Sequence, residues 1–197
     1  RVYEATATID GREVRAALKV IRSSLSRDPS AVARFLTTQR AIQRLEVPGL
    51  ARVLRCGTLG DGRPWVATEL AAGETLAARI SRVGPMSFRD VAPVFQGVLA
   101  ALGRLHAAGI VHSDVKAGNI FVDRAGEGLG GVLVDGGVYR LLAAGATKQD
   151  AIGALRIFGS SEAIAPEMAR GDGIGPAADL YGLGVALYTA LTGQPPF

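Results

Sequence analysis

Large and small side chains alternate from Val2 to Thr8, as they do along a half-exposed strand. Asp10-Gly11 is a strong hairpin turn, and Val14 to Val20 reads as the returning strand, carrying Lys19. Asp28-Pro29-Ser30 has the chemistry of a helix start. Val32, Phe35, Leu36, Ile42 and Leu45 then recur at helical spacing until Pro48-Gly49. Val53 to Leu59 and Pro64 to Leu70 flank Gly60-Asp61-Gly62, a second hairpin. The first seventy residues therefore read as strands with one helix.

After Gly73 the pattern changes. Thr75 to Ser81 is a short helical piece. Ser87 to Ala108 is a long helix with Val91, Val94, Phe95, Val98, Leu99, Leu102 and Leu105 as its apolar positions, and Gly109 follows as a stop. Ile110-Val111, Ile120-Phe121-Val122 and Val132-Leu133-Val134 are short apolar runs bounded by polar residues or glycine, which predicts short strands. Residues 135–165 are rich in Gly, Ala and Ser and carry no period. A loop of that length in a compact domain is usually functional. A last helix is predicted from Ala178 to about Leu191. No internal repeat is visible. The layout is α+β: a small strand-rich lobe over residues 1–70 and a larger helical lobe over 71–197, joined near Glu69 to Gly73.

The chain has 197 residues, 48% of them hydrophobic, enough for one good core or a small lobe packed on a larger one. Its formal net charge of +4 is spread without a block of one sign, which predicts no nucleic-acid arm. The single cysteine, Cys56, cannot build a disulfide framework and lies in no Cys/His cluster. The longest apolar run, Leu180 to Leu191, is interrupted by glycines and is too short to span a bilayer. Both ends of the sequence read as cut.

Three oxygen-bearing side chains stand out. Asp114 is followed five residues later by Asn119, and Asp135 comes at the end of an apolar run. Hard magnesium ions take a few such oxygens together with phosphate oxygens. Lys116, two residues past Asp114, can set a positive charge on a transferring phosphoryl group. Each residue alone is ordinary, since Asp and Asn in loops are most often turn formers or caps.

Taken together, they resemble the catalytic set of the protein kinases. The family pattern His-Arg-Asp-Leu-Lys-Pro-x-Asn stands here as HSDVKAGN, His112 to Asn119. The metal-binding Asp-Phe-Gly stands as Asp135-Gly136-Gly137, and Ala-Pro-Glu is intact at Ala165-Pro166-Glu167. Ala17-Leu18-Lys19-Val20 is similar to the Val-Ala-Ile-Lys strand. The stretches from Asp179 and from Leu191 to Phe197 resemble the large-lobe helix and its exit. The resemblance covers the whole chain and is nearest to bacterial-type serine/threonine kinases. It implies a two-lobed kinase-like fold, ATP and magnesium as cofactors, and a protein substrate with a Ser or Thr hydroxyl.

The resemblance also implies roles. Asp114 would orient the substrate hydroxyl and accept its proton, Lys116 would steady the γ-phosphate, and Lys19 would pair with the α- and β-phosphates. Asn119 and Asp135 would hold magnesium. For ATP binding, Thr68 would sit at the back of the adenine pocket, and Glu69 and Ala71 would offer main-chain groups. Val2 and Ala17 would cover the ring from above and Phe121 from below. Plain core packing is the alternative for Val2, Ala17 and Phe121. Asp179 would hold the backbone of the catalytic loop, with helix capping as the other reading. His112 and His106 are expected to be structural.

Four departures from the family pattern stand beside this. The glycine-rich phosphate loop, expected just before Val2, is not in the sequence. Thr38 stands where the helix usually supplies a glutamate for Lys19, with Gln39 beside it and Glu46 past the helix. Ser113 replaces the arginine that meets a phosphorylated loop, although Thr147, Ser160 and Ser161 offer hydroxyls. Gly136 replaces a phenylalanine that packs between the lobes, so the segment after Asp135 is expected to be more mobile. Two functions follow: an ATP- and magnesium-dependent serine/threonine protein kinase, or a nucleotide-binding pseudokinase acting as a regulatory module. A cytoplasmic domain is expected, with membrane anchoring outside these residues left open, as is the oligomeric state.

Overall fold

A computed structural model describes residues 2–9, 11–23, 28–125, 128–136, 163–172 and 174–197. Strands β1 (Val2–Ile9), β2 (Arg12–Val20), β3 (Val53–Thr58) and β4 (Pro64–Glu69) form an antiparallel sheet in the order β1-β2-β4-β3. Both hairpins lie where the glycine turns predict them. Asp10 itself falls outside the described residues, as do Gly137, Thr147, Ser160 and Ser161.

Helix α1 (Pro29–Leu45) crosses from β2 to β3. Asp28 caps it by accepting from the Ser30 N–H at 2.8 Å, and Pro29 opens the first turn, where its missing N–H costs nothing. Its buried stripe is Ala31, Val32, Phe35, Leu36, Thr38, Gln39 and Ile42. The chain leaves the helix at Glu46, whose φ of 42° is left-handed. The Gln43 side-chain amide donates to the Leu54 carbonyl at 2.7 Å and ties the helix to β3.

The second lobe holds α2 (Leu76–Val83), α3 (Phe88–Ala107), α4 (Pro166–Arg170) and α5 (Pro176–Thr192). A second sheet, ordered β5-β6-β7, is made of β5 (Glu74–Thr75), β6 (Ile120–Ala125) and β7 (Gly128–Leu133). Ser87 caps α3, and the apolar face predicted for that helix is fully buried except for Leu99, which is exposed. Ile110-Val111 is not a strand. The Ile110 N–H instead closes the end of α3 on the Leu105 carbonyl, at 2.9 Å. The β7 strand starts four residues before the apolar run that predicted it, because Gly128 to Gly131 carry too little side chain to show a period.

One core runs through both lobes. Phe35, Leu76, Leu102, Leu105, Ile120 and Leu133 are completely buried in it. Each contributes about 1.5–3 kcal/mol by leaving water. The segment after α1 stitches the lobes together: the Ala51 N–H donates to the Leu133 carbonyl and the Leu133 N–H to the Gly49 carbonyl, both at 2.8 Å. At Gly182 on α5, a Cβ would overlap the Val115 carbonyl oxygen, so glycine lets the helix lie directly on the loop after Asp114. Among the described residues, no helix is long and apolar enough to cross a membrane.

Candidate active site

The register of the first sheet decides which side chains share a face. Val2 pairs with Lys19, Lys19 with Val66, and Ala17 with Thr68. Side chains two apart on a strand point the same way, so Val2, Ala17, Lys19, Val66 and Thr68 line one face. The opposite face carries Ala16, Leu54 and Ala67, packed with Leu18 and Trp65. Four of the residues predicted from the sequence thus come together on one surface. Val2 is exposed on it, and Ala17, Lys19 and Thr68 are half-buried. Glu69 is exposed, and its N–H donates to the Arg52 carbonyl at 2.9 Å. Ala71 lies just beyond β4 and is half-buried, as is Phe121, which is paired with Thr75 and Val132 in the second sheet.

The loop from His112 to Asn119 is built around a buried carboxylate. Asp179 on α5 is only 1% exposed, so its charge must be met by donors inside the protein. Its Oδ1 accepts from the Ser113 N–H at 2.6 Å, and its Oδ2 accepts from the His112 N–H and lies by His106 Nε2, both at 2.8 Å. The carboxylate therefore holds the loop's backbone, as the sequence suggested. Ser113 is bent into the left-handed region at φ 66°, an uncommon conformation for a residue with a Cβ. Its hydroxyl donates to the His112 carbonyl at 2.6 Å and is buried.

His112 is completely buried and links the loop to Asp135. A carbonyl can only accept, so Nε2 carries the proton and donates to the Val134 carbonyl at 3.0 Å. Nδ1 then accepts from the Asp114 N–H at 3.3 Å. Burial pushes the imidazole below its usual pKa, against the pull of Asp179, Asp114 and Asp135 and the bond to Val134, and it stays neutral. The Val134 N–H donates in turn to the Asn119 carbonyl at 2.9 Å. Val134 is thus fixed from both sides, immediately before Asp135.

Asp114 is the hub of the loop. Lys116 Nζ lies 2.8 Å from its Oδ1. Asn119 Nδ2 donates both to its Oδ2 and to its main-chain carbonyl, each at 2.8 Å. Across the cleft, Lys19 Nζ lies 2.8 Å from Asp135 Oδ2, and Asp135 adopts a left-handed φ of 69°.

No carboxylate from α1 faces Lys19 among the described residues, as the sequence indicated, yet the lysine has an acidic partner in Asp135. The side chain that α1 sends toward the Asp135-Gly136 segment is Gln39, whose amide donates to the Gly136 carbonyl at 2.8 Å. Thr38, singled out from the family pattern, uses its hydroxyl on its own helix, donating to the Arg34 carbonyl at 3.0 Å. The sequence held a sign of this: Gln39 falls on the Val32, Phe35, Ile42 stripe, where an amide must find a partner on burial. Gly136 lies against His112, whose Cδ2 would be 3.0 Å from any added Cβ. The Gly136 carbonyl thus has a side-chain partner, while the rest of the segment expected to be mobile lies outside the described residues.

The donor set suits magnesium. Asp135 and Asn119 offer hard oxygens, and the Asn119 amide is oriented by donating to Asp114, which turns its oxygen away from that carboxylate. Among the described residues, no group of three or more His, Cys, Asp or Glu side chains converges. Two protein oxygens completed by phosphate and water is a common way of binding this ion.

A small antiparallel sheet set on a helical body, with Lys19 of the one paired to Asp135 of the other, is the architecture of a two-lobed kinase-like fold. The protein kinase domain model matches residues 1–197, and the chain belongs to that family. Over 201 residues it is 36% identical to the serine/threonine-protein kinase PknA of Mycobacterium tuberculosis, covering 100% of this chain and 44% of that protein. It is 34% identical over 205 residues to the probable serine/threonine-protein kinase PknB of Bifidobacterium longum, with 29% of that protein covered. The chain thus spans less than half the length of these curated relatives. Among solved structures, the M. tuberculosis PknI kinase domain superposes with a TM-score of 0.75 at 24% identity, over 100% of this chain and 70% of that one. That likeness shows the two-lobed kinase fold.

Proposed function

We propose that the protein transfers the γ-phosphoryl group of ATP, with magnesium, to a serine or threonine hydroxyl of a protein substrate. The observation that supports this reading best is that the buried His112 ring bonds both the Asp114 main-chain N–H and the Val134 carbonyl, next to Asp135, which in turn pairs with Lys19 of the other lobe. In this reading Asp114 orients the acceptor hydroxyl and takes its proton as the oxygen attacks phosphorus. Lys116 is close enough to Asp114 to hold the transferring phosphoryl beside it. Lys19 pairs with the inner phosphates, and Asn119 and Asp135 are the residues that hold magnesium, which when bound neutralises phosphate charge. Adenine lies between Val2 and Ala17 above and Phe121 below, with Thr68 at the back and the Glu69 carbonyl and Ala71 main chain at its edge. The division at residues 70 and 71, with the cleft at the joint, belongs to the same reading, as does a cytoplasmic location for the domain.

A second reading is favoured by one observation: Lys19 has no carboxylate from α1 to orient it. A nucleotide-binding regulatory module without transfer would show the same geometry. Radiolabelled phosphate transfer from ATP and magnesium by the intact protein separates the two, with Lys19→Met and Asp135→Asn as comparisons. Transfer lost in both variants supports the kinase. Transfer no higher in wild type than in the variants, with a nucleotide-induced rise in melting temperature, supports the module.

A further inference from the structure

Gln39 is 2% exposed on the inner face of α1, and its amide reaches across 97 residues of sequence to the Gly136 carbonyl. Two features make this contact more than packing. The first is chemical. The acceptor is a main-chain carbonyl, so only a donor can serve at position 39, and a carboxylate there would set negative charge against a carbonyl oxygen. The second is spatial. Gly136 offers no side chain to fix the segment, and the cavity bordered by Gln39, Thr68, Asp135 and Gly136 is only ≈ 20 Å³, room for about one water and for no aromatic ring. Gly136 is therefore held from the α1 side by the Gln39 hydrogen bond, while His112 closes its other side.

We infer that Gln39 is a positioning residue for nucleotide-bound magnesium: it fixes Asp135 through the Gly136 carbonyl, and so couples the position of α1 to the metal carboxylate without an ion pair between α1 and Lys19. This rests on reading the cleft as a site for ATP and magnesium. Lys19 and Asp135 hold each other at 2.8 Å. To bind magnesium and phosphate both must exchange partners. The Gly136 anchor keeps Asp135 in place during that exchange.

The test is calorimetric, on the intact protein, with adenosine and with magnesium ATP as probes. Gln39→Met keeps the length and bulk of the side chain but cannot donate. Gln39→Glu keeps the shape and reverses the polarity. The inference predicts adenosine affinity within about twofold of wild type in both variants, and magnesium ATP affinity about tenfold weaker in both, the effect of one buried hydrogen bond. Magnesium ATP affinity that is unchanged in Gln39→Met, or as good as or better than wild type in Gln39→Glu, overturns it. In the Glu case the carboxylate would be serving Lys19 instead. If Gln39→Glu does not fold, Gln39→Met decides alone. If the affinity difference is present but wild type transfers no phosphate, the kinase reading falls and this inference stands. If neither probe binds wild type, both fall.

Discussion

Lys19 Nζ of the strand-rich lobe and Asp135 Oδ2, beyond β7 of the helical lobe, lie 2.8 Å apart. The two side chains are only 19% and 29% exposed, so the pair is partly shielded from solvent, and the cost of desolvating both charges offsets much of their attraction. A double-mutant cycle with Lys19→Met and Asp135→Asn, read by urea denaturation, is expected to give a coupling of about 1 kcal/mol without nucleotide. With saturating ATP and magnesium the coupling should fall toward zero, because each partner then has another. A coupling unchanged by nucleotide would mean that the pair does not open.

The carboxylate of Asp179 receives two main-chain N–H groups and the His106 ring. Asp179→Asn leaves one acceptor oxygen where two are in use, so a buried N–H loses its partner. The expected loss of stability is about 1–3 kcal/mol, measured by denaturation. Phosphate transfer should fall more than ATP affinity, because the loop that moves carries Asp114 and not the adenine contacts.

Gly182→Ala tests the same loop from the helix side. The added Cβ would overlap the Val115 carbonyl oxygen, and α5 must shift away or the loop must yield. Overpacking of this kind costs about 1–3 kcal/mol. A lowered melting temperature with a reduced kcat and a nearly unchanged KM for ATP is the expected pattern.

Stability should depend on pH through His112. Burial holds its folded-state pKa below the ordinary 6.5, while the unfolded chain takes up a proton near that value. Below pH 6.5 the unfolded state therefore binds more protons than the native one. The contribution is intact above 6.5 and is lost as pH falls from there through the lower folded value, at up to about 1.4 kcal/mol per pH unit. Urea denaturation between pH 8 and 5 should show this decline in wild type and a shallower one in His112→Gln. Equal slopes would place the titration elsewhere.

What the sequence made legible and what it concealed differ in kind. The hairpins were readable because glycine marks a backbone that few other residues adopt, and α1 and α3 because their apolar residues keep a helical period. Asp179 could be assigned to the catalytic loop only through the family pattern, since a carboxylate in a first helical turn is otherwise a cap. The partner of Gly136 was hidden because it depends on how α1 is turned about its axis. The family register pointed to Thr38, whereas the buried stripe brings Gln39 inward. Ile110-Val111 misled because a short apolar run serves equally well as a strand or as the buried exit of a helix.

The proposed role of Asp114, flanked by Lys116 and Asn119, is to take the proton of the acceptor hydroxyl as phosphate passes to it from ATP, and not merely to border a nucleotide site. Single-turnover transfer of γ-phosphate by wild type and Asp114→Asn, alongside their affinities for magnesium ATP, tests it most directly. Transfer is expected to fall by a factor on the order of 10²–10⁴ in the variant, with affinity within about threefold of wild type. Equal transfer in the two proteins, or none in either with nucleotide tightly bound, would contradict it.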